Sequence, residues 1–232
     1  FPVIMIFILQ KTVKSIQRHL HEFLAGLAEE QIFVPPTSGA VTHCRAKLKE
    51  SAFIELNRDC VLPIMYGSKH PILRWRGHRL IGFDSSLLRL PDSEELGQTF
   101  GWKEASNQTG ATGTRYPEAR LSVVYDLLNQ MGLDARLEPS TLGEVALAIE
   151  QAKSLQPDDV AINDRGFSGY LYFVSILQRG AHFIGRCSTG SFLAAQEMFR
   201  HNRANQSKVV WLHAPADQKA ECQRLGLPLQ MK

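Results

Sequence analysis

Apolar residues recur every three or four positions from Ile4 to about Ala28, with Val13, Ile16, Leu20, Phe23, Leu24 and Leu27 on one face. That spacing predicts a single amphipathic helix. Pro35-Pro36 ends it, Thr37-Ser38 supplies a capping residue, and a second helix is expected to run to about Lys49. On this helix Val41, Cys44 and Leu48 are expected inside, with His43, Arg45, Lys47 and Lys49 outside. A third helix, Ala52 to about Met65, completes a small helical domain over residues 1–73.

From Trp75 the period shortens. Arg79 to Leu90 reads as a strand, Gly97 to Thr114 as a long polar loop, and Arg120–Leu128 and Leu133–Leu137 as a hairpin around Asn129-Gln130-Met131-Gly132. Thr141-Leu142-Gly143-Glu144 has the form of a capping box, followed by Val145, Ile149 and Ala152 on one helical face and an exit at Pro157. Val160–Asn163 is an apolar strand, Gly166 permits a sharp departure, Gly169–Leu177 is a helix closed by Gly180, and Ala181–Arg186 is a fifth strand. Three antiparallel strands followed by alternating helix and strand predict an α/β fold with a mixed sheet over residues 74–190. Beyond Cys187 the pattern weakens. Ser191–Asn202 reads as helix and Lys208–His213 as strand, and residues 191–232 are expected to open a further subdomain.

A chain of 232 residues with 44% hydrophobic content buries a substantial core, which excludes a disordered protein. The net charge of +3 is unevenly spread, with the basic excess before Leu90 and a slight acidic excess after it. A basic helix following a short turn is what a helix-turn-helix reader of double-stranded DNA requires, because cationic side chains displace counterions from phosphates. Arg45, Lys47 and Lys49 are the candidate contacts, set against an ordinary solvated helix face. Cys44, Cys60, Cys187 and Cys222 form no Cys-x2-Cys pair, and His19 and His21 diverge, so the thiols read as reduced and zinc is not expected. The apolar run Phe1–Leu9 is far short of the roughly twenty residues a membrane span requires. No membrane segment and a cytoplasmic location are expected.

Asp84 and Asp164 carry the chemistry. Each ends a short apolar run, Leu80-Ile81-Gly82-Phe83-Asp84 and Val160-Ala161-Ile162-Asn163-Asp164, eighty residues apart. A carboxylate at the end of a buried strand enters a cleft, a turn or a metal site. Two carboxylates brought together repel unless a cation lies between them, and Mg²⁺ prefers such hard oxygens, with Mn²⁺ an alternative. The simpler reading, that both aspartates start turns, stays open from spacing alone. Ser85 follows Asp84, but no histidine is placed to activate it, which excludes acyl transfer. Gly110 and Gly113 precede no Gly-Lys-Ser/Thr ending, which argues against a P-loop. Arg165 and Arg186 are expected near the mouth of the site, as phosphate contacts or as surface ion pairs. Trp102 and Tyr116 offer faces for a stacked base or for packing.

The stretch from Trp75-Arg76-Gly77-His78-Arg79 through Asp84-Ser85-Ser86 to Pro91-Asp92-Ser93 resembles the first catalytic segment of the insertion-sequence-four family of DDE transposases, and Asp164-Arg165-Gly166-Phe167 resembles its second. The looser resemblance runs from about Thr37 to about Cys187. It implies a ribonuclease-H-like fold in which the first and fourth strands lie side by side and parallel, bringing Asp84 and Asp164 together. It further implies metal-dependent cleavage at transposon ends and strand transfer into target DNA, by a homodimer in the active complex. The family's third carboxylate lies in a Tyr-x2-Arg-x3-Glu-x6-Lys signature that this sequence lacks, so the chain is expected to be a fragment without it. Glu197 is the one nearby substitute, and it falls too close behind Asp164 for the family pattern. Another nuclease of the same fold and a non-catalytic DNA-binding remnant are the alternatives.

Overall fold

The computed structural model describes residues 2–10, 15–27, 36–67, 71–107, 110–190, 192–201 and 207–232. The chain divides into two compact units, Phe1–His70 and Pro71–Lys232.

In the first unit the expected long helix is two, α1 (Pro2–Leu9) and α2 (Ile16–Leu27); Val13 and Pro35 lie outside the described residues. Phe7, Leu20 and Val41 form the core with Ile4, Phe23 and Leu24 against them. Splitting the helix lets Phe7 meet Phe23 at 5.4 Å between ring centroids, a contact within one unit that a single straight helix cannot make. Thr37 caps α3 (Ser38–Ala46), its hydroxyl accepting from the Ala40 amide at 3.2 Å. Gln17 ties α2 to that cap, its carbonyl oxygen accepting from the Ser38 amide at 2.7 Å. Because α3 stops at Ala46, the expected inward face is shorter than its sequence pattern: Val41 is buried, Leu48 half-buried and Cys44 exposed. The third helix is interrupted. α4 (Ser51–Glu55) passes through a wide π turn, Leu56–Val61, into α5 (Leu62–Tyr66). Pro63 has no amide proton and its ring crowds the carbonyl four residues back, which accounts for the widened hydrogen bonding just before it.

The second unit is a mixed α/β fold. Its main sheet contains β1 (Leu80–Arg89), β2 (Trp102–Asn107), β3 (Gly110–Asp126), β4 (Met131–Pro139), β5 (Val160–Asn163) and β6 (His182–Gly185). They are ordered β2-β3-β1-β5-β6, with β4 on the outer side of β3. β1, β3 and β4 are antiparallel neighbours, whereas β1 and β5, and β5 and β6, run parallel. α6 (Glu94–Phe100) lies between β1 and β2, α7 (Glu144–Gln151) and a 3₁₀ turn (Ala152–Ser154) precede β5, and α8 (Tyr170–Leu177) joins β5 to β6.

The expected polar loop from Gly97 to Thr114 is instead the end of α6, all of β2 and the first part of β3. These strands pair with each other through Trp102↔Pro117 to Asn107↔Gly110, so their apolar alternation is weak and the sequence pattern conceals them. The turn of the β3–β4 hairpin also sits earlier than expected, at residues 127–130, where the buried Asp126 carboxylate accepts from the amides of Leu128 and Asn129.

The core lies under one face of the sheet, where Ile81, Phe83, Val124 and Ala161 meet Ala148 of α7 and Tyr172, Phe173 and Ile176 of α8. α9 (Leu193–Arg200), β7 (Leu212–His213), a 3₁₀ turn (Ala216–Gln218), α10 (Lys219–Arg224) and β8 (Gln230–Met231) follow. Only the last two residues of the expected Lys208–His213 strand are extended, paired with β8, and Ser191 and Asn202 of the expected helix lie outside the described residues. Ala214, Cys222 and Met231 join the same core as the sheet. Among the described residues no helix is long and apolar enough to cross a membrane.

Candidate active site

The register of β1 and β5 decides where the two aspartates lie. Leu80, Ile81 and Gly82 pair with Val160, Ala161 and Ile162. Asp84, in the middle of β1, is two residues beyond Gly82, and Asp164, one residue past β5, is two beyond Ile162, so both stand at one level just past the paired segment of adjacent parallel strands, which lie about 5 Å apart. Asp164 has left the paired segment but is still extended, with φ −80° and ψ 174°. Residues two apart share a face of a strand. Both carboxylates therefore fall on the face of Gly82 and Ile162, opposite the buried Ile81, Phe83 and Ala161.

This level is fixed at the other end of the strands. Arg79 and Asp159 are each five residues before their aspartate and form a buried ion pair, Nη2 to Oδ2 at 2.6 Å and Nε to Oδ1 at 2.8 Å. A bidentate guanidinium–carboxylate pair tolerates little sliding, so it pins one register and rejects its neighbours.

Both candidate carboxylates are exposed. Asp84 Oδ1 accepts from the Ser85 amide at 2.8 Å, and Asp164 Oδ1 accepts from the Arg165 amide at 2.6 Å. Each is thus oriented by the next residue, with its second oxygen available to a ligand. Hard carboxylate oxygens so arranged suit Mg²⁺, which commonly binds through one or two carboxylates and fills its other positions with water or substrate oxygen. Among the described residues no three His, Cys, Asp or Glu side chains gather as a metal cluster.

Arg186 follows Gly185, which pairs with Asn163, and its amide donates to the Asn163 carbonyl at 3.3 Å. It therefore stands level with Asp164, one residue past the third parallel strand. Arg165 directly follows Asp164 in a short 3₁₀ turn, Arg165–Phe167. Both arginines are exposed and neither enters an ion pair with a described residue. Arg45, Lys47 and Lys49 belong to the first unit, where all three are exposed, Arg45 on α3 and the two lysines beyond its last turn. Glu197 on α9 is exposed and pairs with Lys208 at 3.2 Å. Trp102 and Tyr116 are each covered by an arginine of their own unit, Arg115 at 4.1 Å and Arg89 at 4.5 Å from the ring centroids. That geometry assigns both rings to packing in this structure.

Three residues around the pair escape the sequence pattern. The capping box expected from Thr141 and Glu144 does not form: Gly143 is the N-cap, without a side-chain bond, and α7 begins at Glu144. The Glu144 carboxylate turns toward the sheet instead, where Oε2 accepts from the Ser85 hydroxyl at 3.0 Å and lies 3.8 Å from Arg120 Nη1. Arg120 donates to Ser85 Oγ and to the Leu142 carbonyl, both at 3.0 Å. Gly166, expected for a sharp backbone turn, has no left-handed φ. A Cβ there would lie 2.6 Å from Glu144 Oε1, so a side chain at this position would displace the glutamate carboxylate. Sequence spacing conceals this arrangement because Ser85, Arg120, Glu144 and Gly166 come from four separate segments.

No protein-family model matches the chain, and no curated protein matches it. Among solved structures, the chain is similar to a piggyBac transposase in a synaptic complex with hairpin DNA, with 8% identity and a TM-score of 0.44 over 93% of this chain and 46% of that one. It is also similar to Mos1 transposase in a paired-end complex with the left transposon end, with 11% identity and a TM-score of 0.31 over 94% of this chain and 80% of that one. A Mos1 mariner paired-end complex with Mn gives 12% identity and a TM-score of 0.31 over the same shares, 94% and 80%. The chain spans about half the length of the piggyBac chain, 46%. At these values function is argued from this chain's own residues.

Proposed function

We propose that this chain carries the catalytic aspartates of a DDE-type DNA transposase of the insertion-sequence-four kind, on a ribonuclease-H-like sheet. The observation that carries the reading is the level placement of Asp84 and Asp164 just past the paired segment of two adjacent parallel strands, in a sheet ordered β2-β3-β1-β5-β6 with β4 paired to β3. The two sequence segments that resemble that family are the ones that contain these aspartates, which supports the same assignment.

In this reading Asp84 and Asp164 hold Mg²⁺, or Mn²⁺, through the oxygens not engaged by the Ser85 and Arg165 amides. The bound ion supplies Lewis acidity for in-line attack of water or a 3′-hydroxyl on a DNA phosphorus. Arg186 and Arg165 offer fork-shaped donors to a phosphate beside the scissile bond. Arg45, Lys47 and Lys49 neutralise phosphates of the double-stranded transposon ends. Glu197, paired with Lys208, is not assigned the role of third carboxylate. The active complex is a homodimer.

Free Mn²⁺ measured by electron paramagnetic resonance tests the pair. Wild-type chain takes up Mn²⁺ saturably, and Asp84→Asn and Asp164→Asn each weaken uptake by about tenfold or more. Uptake by both variants equal to wild type overturns the assignment. A second reading, a DNA-binding protein that does not cut, is favoured by the lack of a third carboxylate at the pair among the described residues. Nicking of DNA by the 232-residue chain with Mg²⁺ or Mn²⁺ tests the second reading. Little or no nicking is expected, and efficient nicking would exclude the second reading.

A further inference from the structure

We infer that Glu144 is the positioning residue of the aspartate pair, bracing Ser85 after Asp84 and the Gly166 turn after Asp164 from the helix-covered face of the sheet. The inference rests on the reading of Asp84 and Asp164 as a metal-holding pair. It adds a residue that contributes no ligand.

The geometry separates a brace from a ligand. Ser85 is one residue from Asp84, so its side chain points to the opposite face, toward α7. There its hydroxyl donates to Glu144 Oε2 at 3.0 Å while its amide donates to Asp84 Oδ1 at 2.8 Å. One residue thus connects the two carboxylates across the sheet. In the 3₁₀ turn after β5, Glu144 Oε1 lies 2.6 Å from where a Gly166 Cβ would stand, two residues after Asp164. Asp164 is held by the amide of Arg165, the residue between them. A single carboxylate therefore touches the segments that orient both aspartates.

Arg120 makes the brace stiff. Its Nη1 donates to Ser85 Oγ, which leaves the serine hydrogen directed at Glu144, and its Nε holds the Leu142 carbonyl just before α7. Glu144 also occupies the first turn of α7, where a negative charge is favoured by the helix dipole. Serine, arginine and glutamate thereby satisfy one another without drawing on the open face.

Mn²⁺ uptake and thermal unfolding of the full chain, measured together, test the inference. Groups that orient metal ligands from behind change affinity by about 10- to 100-fold when removed. Glu144→Ala and Ser85→Ala each weaken Mn²⁺ uptake by about tenfold in that range. Glu144→Gln, which keeps an acceptor for the Ser85 hydroxyl, restores most of it. Gly166→Ala, which displaces the carboxylate without removing it, weakens uptake like Glu144→Ala. The Glu144→Ala/Ser85→Ala double variant loses no more than either single one, because both act through one contact. Wild-type affinity in Glu144→Ala and Gly166→Ala, or additive losses in the double variant, overturns the brace. If Asp84→Asn meanwhile loses the ion, the metal pair still stands. Absence of uptake by wild-type chain removes the metal pair itself, a separate outcome.

Discussion

Gly97 lacks a side chain because Trp102 fills its place: a Cβ there would lie 2.0 Å from Trp102 Cε2. Gly97→Ala must push that ring from α6 and from the Arg115 guanidinium, and overpacking of this kind costs about 1–3 kcal/mol. Urea denaturation should register it as a lower midpoint with an unchanged slope. Tyr172 is a second residue-scale case. It is fully buried, its hydroxyl donates to Asn163 Oδ1 at 2.5 Å, and burial pushes its ionisation well above the ordinary 10.0. The folded state therefore keeps the proton that an unfolded tyrosine releases. Its contribution to stability is complete below pH 10.0 and declines as pH rises above that value. Burial also raises the ionisation of Tyr170, so alkaline difference spectroscopy should find two tyrosines resisting ionisation until the fold is lost, Tyr172 the more strongly, and ordinary titration of all tyrosines would contradict this. Burial likewise raises the Cys222 thiol, whereas Cys44, Cys60 and Cys187 are exposed. Thiol titration of native protein should count three fast groups and one slow.

Among elements, the parallel pair β1 and β5 depends on a contact made outside both strands. Arg79 and Asp159 precede them, and Asp159 Oδ2 also accepts from the Gln156 amide at 2.7 Å, so the pair anchors the entrance to β5 as well. Its energetic weight is asymmetric. Removing one partner leaves a buried charge alone at a cost of about 3–5 kcal/mol, whereas replacing both by apolar residues of similar size is often neutral. Arg79→Met should destabilise by about 3 kcal/mol in denaturant unfolding, and Arg79→Met/Asp159→Leu should recover most of the loss. Recovery of stability without recovery of Mn²⁺ uptake would mark the pair as a device for register.

For the molecule as a whole, the site and the first unit are separable. Asp84, Asp164, Glu144 and the core beneath them all belong to Pro71–Lys232. Residues 71–232 produced alone should fold cooperatively and take up Mn²⁺ with the affinity of the full chain. DNA affinity should fall, because Arg45, Lys47 and Lys49 are lost with the first unit. In the full chain, replacing these three by alanine should reduce the slope of log affinity against log salt by about one for each phosphate contact removed. An unchanged slope would remove them from the DNA interface.

The sequence by itself determined the local periods: helices before Pro71, then strands whose short apolar runs lead into Asp84 and Asp164. Periodicity reports which side of an element is covered, so it located the strands of the parallel core and the helices α7 and α8 between them. It missed β2 and the start of β3, whose polar residues pair mainly with each other, and it could not see the break between α1 and α2. Only the tertiary structure decided the register that levels the aspartates, because Arg79 and Asp159 are eighty residues apart and nothing local marks them as partners. It alone turned Glu144 from a helix cap into a group facing Ser85 and Gly166. Glycine and glutamate at these positions satisfy local rules in several ways, and the choice among them is made by atoms that arrive from distant parts of the chain.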